Sequence, residues 1–365
     1  MSLKCGIIGL TNSGKTTIFN CMSPAKAEAS RTAFTSSKSN LGIIPVPDER
    51  LYKIDALIKS QKIIPATVEI IDIPGLAKGS SHGEGIGNKF LEDIQKTDAL
   101  IHVLRCFDDE TLPHIEGSVD PVRDIEILEL ELQVKDLEMI ERKIQKYEKL
   151  TKVGEKDAKK GLEILEHIKN NLDNFISIRN LKLTEEDRKY LADMFLLTDI
   201  PVIYVCNVDD ASAVGGNAYV DRVKEAVKHE NTEVIIIAGK LEAEITELDN
   251  PDDRMAFLAD AGLEEPGVNK LIRSAYKLLN LESFFTAGPK EVRAWTIHRG
   301  MTAPQAAGVI HSDLERGFIR AEVMKYDDFL RYGSEHACKE AGKFFVEGKN
   351  YVVHEGDILH IRFNV

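Results

Sequence analysis

The residues with the clearest chemical meaning lie near the amino terminus, where positions 9–16 read Gly-Leu-Thr-Asn-Ser-Gly-Lys-Thr. This is the G-x-x-x-x-G-K-[ST] pattern of a P-loop, whose glycines let backbone N–H groups curl around phosphate oxygens. A strand-like run precedes the loop and a helix-like run follows it, so the positive end of that helix also faces the phosphates. The pattern predicts that a nucleotide is bound by Asn12, Ser13, Gly14, Lys15, Thr16 and Thr17.

Side chains from three segments are expected to divide the phosphate chemistry. Lys15 would reach the β- and γ-phosphates and act in catalysis, while the Thr16 hydroxyl would bind Mg²⁺. A second apolar strand, at positions 67–71, is followed by Asp72-Ile-Pro-Gly75. Because carboxyl ends of parallel strands share one edge of a sheet, Asp72 is placed to hold Mg²⁺ through water and Gly75 to donate its N–H to the γ-phosphate.

The polar stretch between these anchors, positions 34–40, shows no periodicity and suits a loop that orders when nucleotide and metal supply contacts. One hydroxyl from it would complete the Mg²⁺ shell, and we favour Ser36 over Thr35. The glycine-rich run at 76–87 is a candidate for a second switch. The alternative for that run is an ordinary flexible surface loop.

The elements that must position these residues follow from hydrophobic patterning. From position 4 to about 107, strands alternate with helices, which predicts an α/β fold with a parallel sheet. From about 121 the chain becomes charged, with apolar residues at helical spacing in two stripes. The stripes are Leu130, Val134, Leu137, Ile140, Ile144 and Tyr147, then Leu162, Leu165, Ile168, Leu172 and Phe175.

These stripes predict two long helices paired as an antiparallel hairpin. Buried-strand patterns return at 201–206 and 232–238, so the hairpin is an insertion in the α/β domain. Short strand patterns between about 283 and 365 predict a small α+β domain. The expected organisation is a P-loop domain at 1–119 and 199–281, a helical hairpin at 120–198 and a carboxyl-terminal domain at 282–365.

Composition narrows the possible partners. The 365 residues are 43% apolar and 29% charged, and no apolar run reaches 18 residues, so we expect a cytoplasmic protein without a membrane span or signal peptide. The net charge of −13 argues against DNA binding and leaves RNA only a local basic patch. Five scattered cysteines without a CxxC pair indicate neither a zinc site nor a disulfide framework.

A base-recognition motif follows the strand at 201–206. Guanine-specific switches end this strand in Asn-Lys-x-Asp, and here the comparable residues are Asn207, Val208, Asp209 and Asp210. Together with the P-loop and the Asp72 strand, this resembles the Obg group of translation-factor-related P-loop proteins, and within it the YchF/Obg-like ATPase family. The segments that carry the resemblance are 4–10, 83–90, 102–107 and 290–296, and 302–311 resembles the start of a TGS domain.

The resemblance implies a P-loop domain with an inserted helical hairpin and a ubiquitin-like β-grasp TGS domain. It also implies Mg²⁺-dependent ATP hydrolysis with weaker GTP use, and association with the ribosome through the large subunit or the 70S particle; we expect a monomer. Val208 in place of lysine favours ATP. Asp210 stands where the family usually has Glu and is the residue that guanine readers use, so a GTP preference stays an alternative. Ser36 replaces the family's metal-binding threonine, and a serine hydroxyl can serve that role.

The residue that orients the attacking water differs from the glutamine of small GTPases. Leu76 occupies the place where small GTPases have glutamine, and an aliphatic side chain cannot orient water. The resemblance points to His114 as the substitute, and the alternative is an ordinary exposed loop histidine. His102, inside an apolar strand, is expected to be structural, and His82 is a further candidate.

Two other functions fit parts of the sequence. The chain could be an RNA- or ribosome-binding regulator in which nucleotide only sets conformation, with basic residues of the first hairpin arm contacting RNA. Those residues alternate with acidic ones, which favours a solvated helix surface instead. A small-molecule kinase has the right P-loop, but the sequence offers no evident acceptor site.

Overall fold

The computed structural model describes residues 3–23, 40–74 and 86–364. Ser36, Gly75, Leu76 and His82 therefore lie outside the described residues. The strands, in chain order, are β1 (Lys4–Ile8), β2 (Asn40–Pro45), β3 (Ile63–Ile64), β4 (Thr67–Asp72), β5 (Ala99–Arg105), β6 (Val202–Asn207), β7 (Val234–Ile237), β8 (Leu281–Ala287), β9 (Val292–His298), β10 (Phe318–Lys325), β11 (Phe345–Glu347) and β12 (Asp357–Phe363).

Helices connect these strands. They are α1 (Lys15–Met22), α2 (Glu49–Ile58), α3 (Ile86–Ile94), α4 (Pro121–Lys152), α5 (Ala158–Asp173), α6 (Glu185–Lys189), α7 (Ala218–Ala226), α8 (Gly239–Glu247), α9 (Pro251–Asp260), α10 (Gly267–Leu278), α11 (Ala303–Ile310), α12 (Ser312–Arg316), α13 (Tyr326–Tyr332) and α14 (Glu335–Glu340). Within the described ranges, no helix combines the length and the apolar character that crossing a membrane requires.

The contacts divide the chain into two compact units. The first comprises Met1–Gly42 and Glu69–Leu271, and the second comprises Ile43–Val68 and Ile272–Val365. Residues 43–68 are predicted from the sequence to belong to the P-loop domain, whereas the contacts group them with the carboxyl-terminal residues. The reason lies in their tertiary contacts, because α2 packs on β8, β9 and α13 and β3 pairs with β9.

The first unit is built on a sheet with the strand order β2-β4-β1-β5-β6-β7. The pairs β1–β4, β1–β5, β5–β6 and β6–β7 are all parallel, which confirms the predicted α/β fold. Every residue of β5 and β6 is buried, as expected for strands covered on both faces. The carboxyl ends of β1, β4, β5, β6 and β7 therefore meet at one edge of the sheet, where ligands bind in such folds.

The predicted helical hairpin is present as α4 and α5. The two helices follow β5 and precede β6 in the chain, and they pack against each other. Ile140, Leu165, Ile168 and Leu172 of the predicted stripes are buried in its core. Two stripe members are wrong, since Leu130 is 45% exposed and Phe175 is 72% exposed.

The hairpin returns to the sheet through a buried carboxylate. Asp136 of α4 is fully buried and accepts the backbone N–H groups of Leu197 and Thr198, each at 2.8 Å, and the Thr198 hydroxyl at 2.7 Å. Burial raises the pKa of Asp136 to about 6, although the three hydrogen bonds oppose the shift. This contact fixes the turn that leads from the hairpin into β6.

The second unit is a mixed sheet with the order β11-β10-β12-β8-β9-β3. The antiparallel pairs β8–β9 and β10–β12 flank a parallel β12–β8 contact. Helix α11 buries three alanines against this sheet, together with Phe284, Ile297 and Leu359. This arrangement agrees with the predicted β-grasp fold.

Helix α2 is anchored within the second unit by Arg50. Its guanidinium bonds both carboxylate oxygens of Asp48, at 2.9 and 2.7 Å, pairs with Glu355 and lies 5.3 Å from the centre of the Phe285 ring. The Glu355 carboxylate also accepts the Ser283 N–H at 2.7 Å. A planar guanidinium can make these contacts together, which explains why residues 43–68 are held in this unit.

One buried acid couples the orientation of α8 to that of α10. Glu242 of α8 is 2% exposed and accepts the backbone N–H of Gly267 at the start of α10. Its second oxygen, Oε2, has no hydrogen-bond partner among the described residues. Burial raises the pKa of Glu242 to about 7, while the bonds to Gly267 and Val268 oppose the shift.

We expect the stability of this region to depend on pH through Glu242. A carboxyl that binds its proton more tightly when folded contributes stability below its unfolded pKa and loses it as pH rises through the folded pKa. Glu242→Gln keeps the carbonyl acceptor and cannot ionise. Between pH 4.5 and pH 7 the free energy of unfolding of Glu242→Gln should therefore rise relative to that of the parent by about 3 kcal/mol, and above pH 7 the difference should stay constant. Denaturant unfolding at several pH values measures this, and parallel profiles would contradict it.

Candidate functional site

The P-loop adopts the curled backbone that its sequence predicts. Gly9 and Gly14 have φ values of 148° and 95°, and Asn12 lies in the left-handed region at 65°. A Cβ on Gly9 would come within 2.4 Å of the Val103 carbonyl oxygen of β5, so no larger residue fits. Helix α1 begins at Lys15, immediately after the loop, and its free N–H groups face the phosphate position.

Asn207, at the end of β6, locks the loop in place. Its Nδ2 donates to the Ser13 carbonyl oxygen and its Oδ1 accepts the Gly239 N–H, both at 2.9 Å. A Cβ on Gly14 would lie 2.1 Å from Nδ2, so this glycine is required for close approach as well as for its φ. The amide was predicted to contact the nucleotide base, but in this arrangement both of its ends are used to join the P-loop to α8.

Lys15 is held against its own loop. Its Nζ donates to the carbonyl oxygens of Gly9 and Leu10 at 3.0 and 2.8 Å, and the residue is 8% exposed. Burial lowers the pKa of Lys15 to about 8, and the charge of Asp72 only partly offsets this. A phosphate group would offer the ammonium a stronger partner than the two carbonyls and would favour its charged form.

Thr16 and Asp72, predicted to serve one metal ion, lie side by side. The Thr16 hydroxyl donates to Asp72 Oδ2 at 3.0 Å, and Asp72 is 7% exposed. Burial raises the pKa of Asp72, while Thr16 and Lys15 oppose the shift. A buried carboxylate beside a hydroxyl is an oxygen donor set that fits Mg²⁺. The described residues contain no group of three or more His, Cys, Asp and Glu side chains that could hold a metal, so phosphate and water would have to complete the shell.

These residues open onto a cavity of about 720 Å³. Its phosphate end is lined by Asn12, Gly14, Lys15, Thr16 and Thr17. We call the remainder the base end; the loops after β5, β6 and β7 line it. The base-end residues are Phe107, Asp108, Asp109, Leu112, Asn207, Val208, Asp209, Asp210, Gly239, Lys240 and Ala243.

The altered base motif has a divided geometry. Asp210 is exposed, lines the cavity and begins a short 3-10 helix, Asp210–Ser212, which the Asp209 side chain caps by accepting the Ser212 N–H at 2.9 Å. Val208 is 3% exposed and packs in the hydrophobic core of the first unit. The position that holds lysine in guanine readers therefore contributes packing here.

His114 is neither free nor an exposed loop residue. Its side chain is 3% exposed, Nε2 lies 2.9 Å from Asp124 Oδ2, and Nδ1 accepts the Glu116 N–H at 3.1 Å. Because Nδ1 is an acceptor, the ring proton lies on Nε2, which donates the hydrogen bond to the Asp124 carboxylate. Both ring nitrogens are thus occupied, and the predicted role in orienting water requires His114 to leave Asp124. His102 is 1% exposed, and burial lowers its pKa to about 3, which fits the structural role expected for it.

Sequence reasoning missed most of the base end. Apart from Phe107 and His114, the residues of the loop after β5 and of the first turn of α8 belong to no predicted motif. The general rule that ligands lie at the carboxyl ends of parallel strands would have pointed to both segments, because each directly follows a strand of the sheet.

Comparisons with known proteins agree with this fold and identify related families. A family model described as a 50S ribosome-binding GTPase matches residues 4–152. A second model, for the carboxyl-terminal domain of YchF GTPases and described as a protein of unknown function, matches residues 281–364.

Curated relatives align with the chain along its whole length. The ribosome-binding ATPases YchF of Pasteurella multocida, Bacillus subtilis and Escherichia coli O157:H7 are 47%, 46% and 45% identical to it, over 100% of both chains. The solved YchF GTPase of Schizosaccharomyces pombe is 34% identical, with a TM-score of 0.86 over 99% of this chain and 98% of that one. A GTP binding protein from Pyrococcus horikoshii OT3, at 20% identity and a TM-score of 0.60, covers 99% and 100% and supports the fold alone.

We expect Asn207→Ala to weaken nucleotide binding by at least about tenfold, because it removes both bonds that hold the P-loop to α8. It should also cost roughly 1–3 kcal/mol of stability, since the buried carbonyl of Ser13 loses its hydrogen-bond donor. Titration with a fluorescent nucleotide and denaturant unfolding measure the two effects.

Asn250→Ala is the matched control for this prediction. Asn250 caps α9 by accepting the Asp252 N–H at 3.0 Å, and it does not line the cavity. Its replacement should cost about 1 kcal/mol of stability and leave nucleotide affinity unchanged. Equal losses of affinity in the two variants would show that Asn207 acts only through general stability.

Proposed function

This chain belongs to the YchF family, and from that premise we propose that it is a Mg²⁺-dependent P-loop ATPase, with weaker GTP hydrolysis, that acts as a ribosome-associated molecular switch. One observation carries the proposal: Lys15 and Thr16 line the phosphate end of the cavity, and the Thr16 hydroxyl donates to the carboxylate of Asp72 at 3.0 Å. Lys15 and Asp72 are buried although they carry ionisable groups, and the exposed Thr16 hydroxyl lies beside them, in the arrangement that a nucleoside triphosphate and a cation would use.

The proposed reaction is in-line attack of water on the γ-phosphate. Lys15 would exchange its two loop carbonyls for phosphate oxygens, and the P-loop N–H groups would stabilise charge on the transferred group. Mg²⁺, held by the hydroxyls of Thr16 and Ser36 and through water by Asp72, would neutralise charge on the phosphates. Ser36 and Gly75 keep their predicted roles as part of this proposal.

His114 is proposed to orient the attacking water after it leaves Asp124. The pair sits close to the P-loop, because Asn12 Nδ2 donates to the carbonyl oxygen of the adjacent Pro113 at 3.2 Å. Asp124 is also bonded by Arg123 at 3.3 Å, so its charge keeps a partner when the imidazole moves.

The base preference rests on what Val208 and Asp210 present to the cavity. A buried Val208 side chain cannot make the contact that lysine makes in guanine readers, which supports ATP. A GTP preference is the second candidate, because the exposed Asp210 carboxylate lines the cavity and could accept two hydrogen bonds from guanine.

The ribosome enters as a partner because the curated relatives are named ribosome-binding ATPases. A ribosomal partner supports a cytoplasmic location as part of this proposal. The hairpin gives little support to a purely RNA-binding regulator, since three basic residues of its first arm pair with acids of the same unit. These pairs include Lys135 and Arg142 with Glu138, at 3.2 and 3.5 Å, and Lys143 with Asp193.

We expect the purified chain to release phosphate from ATP slowly in the presence of Mg²⁺, and Lys15→Ala or removal of Mg²⁺ with a chelator to abolish the release. Non-hydrolysable ATP should bind more tightly than its GTP counterpart. Activity that persists in Lys15→Ala would belong to another site. Tighter binding of the GTP analogue would contradict the proposed ATP preference and support the GTP preference based on Asp210.

We expect His114→Ala to lower kcat by about 10–100-fold and to leave the Kd of a non-hydrolysable ATP analogue within about twofold, because a water-orienting group acts on the chemical step. Asp124→Ala removes the acceptor of the same pair but keeps the imidazole, so it should retain activity. Steady-state hydrolysis and equilibrium binding distinguish the two. If both variants lose activity alike, His114 serves only to support the fold.

A further inference from the structure

Arg105, the last residue of β5, is a buried cation whose partners lie in one loop. It is 1% exposed, although it carries a full charge. Its Nε donates to the carbonyl oxygen of Phe107 at 3.2 Å, and its two terminal nitrogens donate to those of Leu112 at 2.7 Å and Asp109 at 3.2 Å. The guanidinium also lies 4.8 Å from the centre of the Phe107 ring.

The loop that Arg105 holds is a wall of the base end. Phe107, Asp108, Asp109 and Leu112 all line the cavity. The loop has other supports: the Tyr219 hydroxyl donates to the Asp108 carboxylate at 3.0 Å, and the Cys106 N–H donates to the Asn207 carbonyl oxygen at 2.8 Å. Arg105 is the support that joins its two ends, since its bonds span residues 107–112.

We propose that Arg105 is a positioning residue for base recognition, which sets the shape of the base end by fixing the loop at residues 107–112. This rests on the proposed function, since it supposes that the cavity binds a purine nucleotide. Arg105 does not line the cavity, so it acts only through the residues that do. Its effect should therefore fall on the base and spare the phosphates.

The chemistry of the side chain explains why arginine stands here. A guanidinium is planar, is always charged and directs five donors along fixed directions, so it can bond three carbonyl oxygens and face an aromatic ring at once. A lysine ammonium is a compact point charge with a stronger demand for hydration, and it cannot copy this fork. Removing Arg105 takes the donors from three loop carbonyls at once, so water or other donors must replace them and the loop can take a different conformation.

The test compares probes with and without a base. Binding of a non-hydrolysable ATP analogue, its GTP counterpart and inorganic tripolyphosphate is measured with Mg²⁺ for the full chain, Arg105→Met and Arg105→Lys. In Arg105→Met the ATP analogue should bind about tenfold to hundredfold more weakly, while tripolyphosphate stays within about twofold. Arg105→Lys, which keeps the charge, should fall between.

Arg179→Met is the matched control. Arg179 is also buried in the first unit, pairs with Glu129 and donates to the Thr198 carbonyl oxygen at 3.4 Å, and it does not line the cavity. It should lose stability without changing the ratio of ATP to tripolyphosphate affinity. If Arg105→Met does not fold, the ratio in Arg105→Lys decides.

The outcomes separate two failures. Equal weakening of the ATP analogue and tripolyphosphate in the Arg105 variants, no change in either, or the same ratio change in Arg179→Met would overturn the role of Arg105. If the unaltered chain binds none of the three probes, the proposed function fails before the role of Arg105 is reached.

Discussion

The side-chain amide of Asn207 is the contact on which the geometry of the pocket depends. It ends β6, donates to the carbonyl oxygen of Ser13 in the P-loop and accepts the N–H of Gly239 at the start of α8. Three segments far apart in the chain are thereby set at hydrogen-bond distance around one side chain. Glycine is required at positions 14 and 239, because a Cβ there would lie 2.1 Å and 2.9 Å, respectively, from the Asn207 amide. The two ends of the cavity cannot shift independently while these two bonds hold.

Around this joint the structure keeps several charges away from water. Burial lowers the pKa of Lys15 and raises the pKa of Asp72, which favours the neutral form of each. The attraction between the two charges offsets these shifts only in part. Such groups destabilise a fold unless something binds them, so a site that holds them is suited to a ligand carrying both negative phosphates and a cation. Arg105 differs, because its charge is satisfied by carbonyl oxygens of the loop that it supports. The first two serve the phosphate end and the third serves the base end.

The chain path adds a connection that matters for a switch. Residues 43–68 lie in the chain between Ser36 and Asp72, two residues predicted to bind the metal. They belong to the second unit, where Arg50 anchors them. The inserted hairpin likewise occupies the chain between the Arg105 loop and Asn207 and returns through Asp136. Both insertions are therefore joined covalently to residues of the nucleotide site. Relatives that align over the whole length of the chain share this order of parts.

The sequence by itself determined the P-loop, the Asp72 strand, the parallel sheet and the inserted hairpin, because each depends on a local pattern of glycines, strand ends or hydrophobic period. Tertiary structure alone decided the parts played by Asn207, Val208, His114 and Arg105. The amide of Asn207 bonds a residue 194 positions away, Val208 turns into the core, and His114 finds Asp124 one helix turn inside α4. Arg105 needed the folded loop to bring three carbonyl oxygens around it. A pattern states which groups are available, but burial and the distance to a partner decide whether a polar group faces a ligand or supports the wall around it.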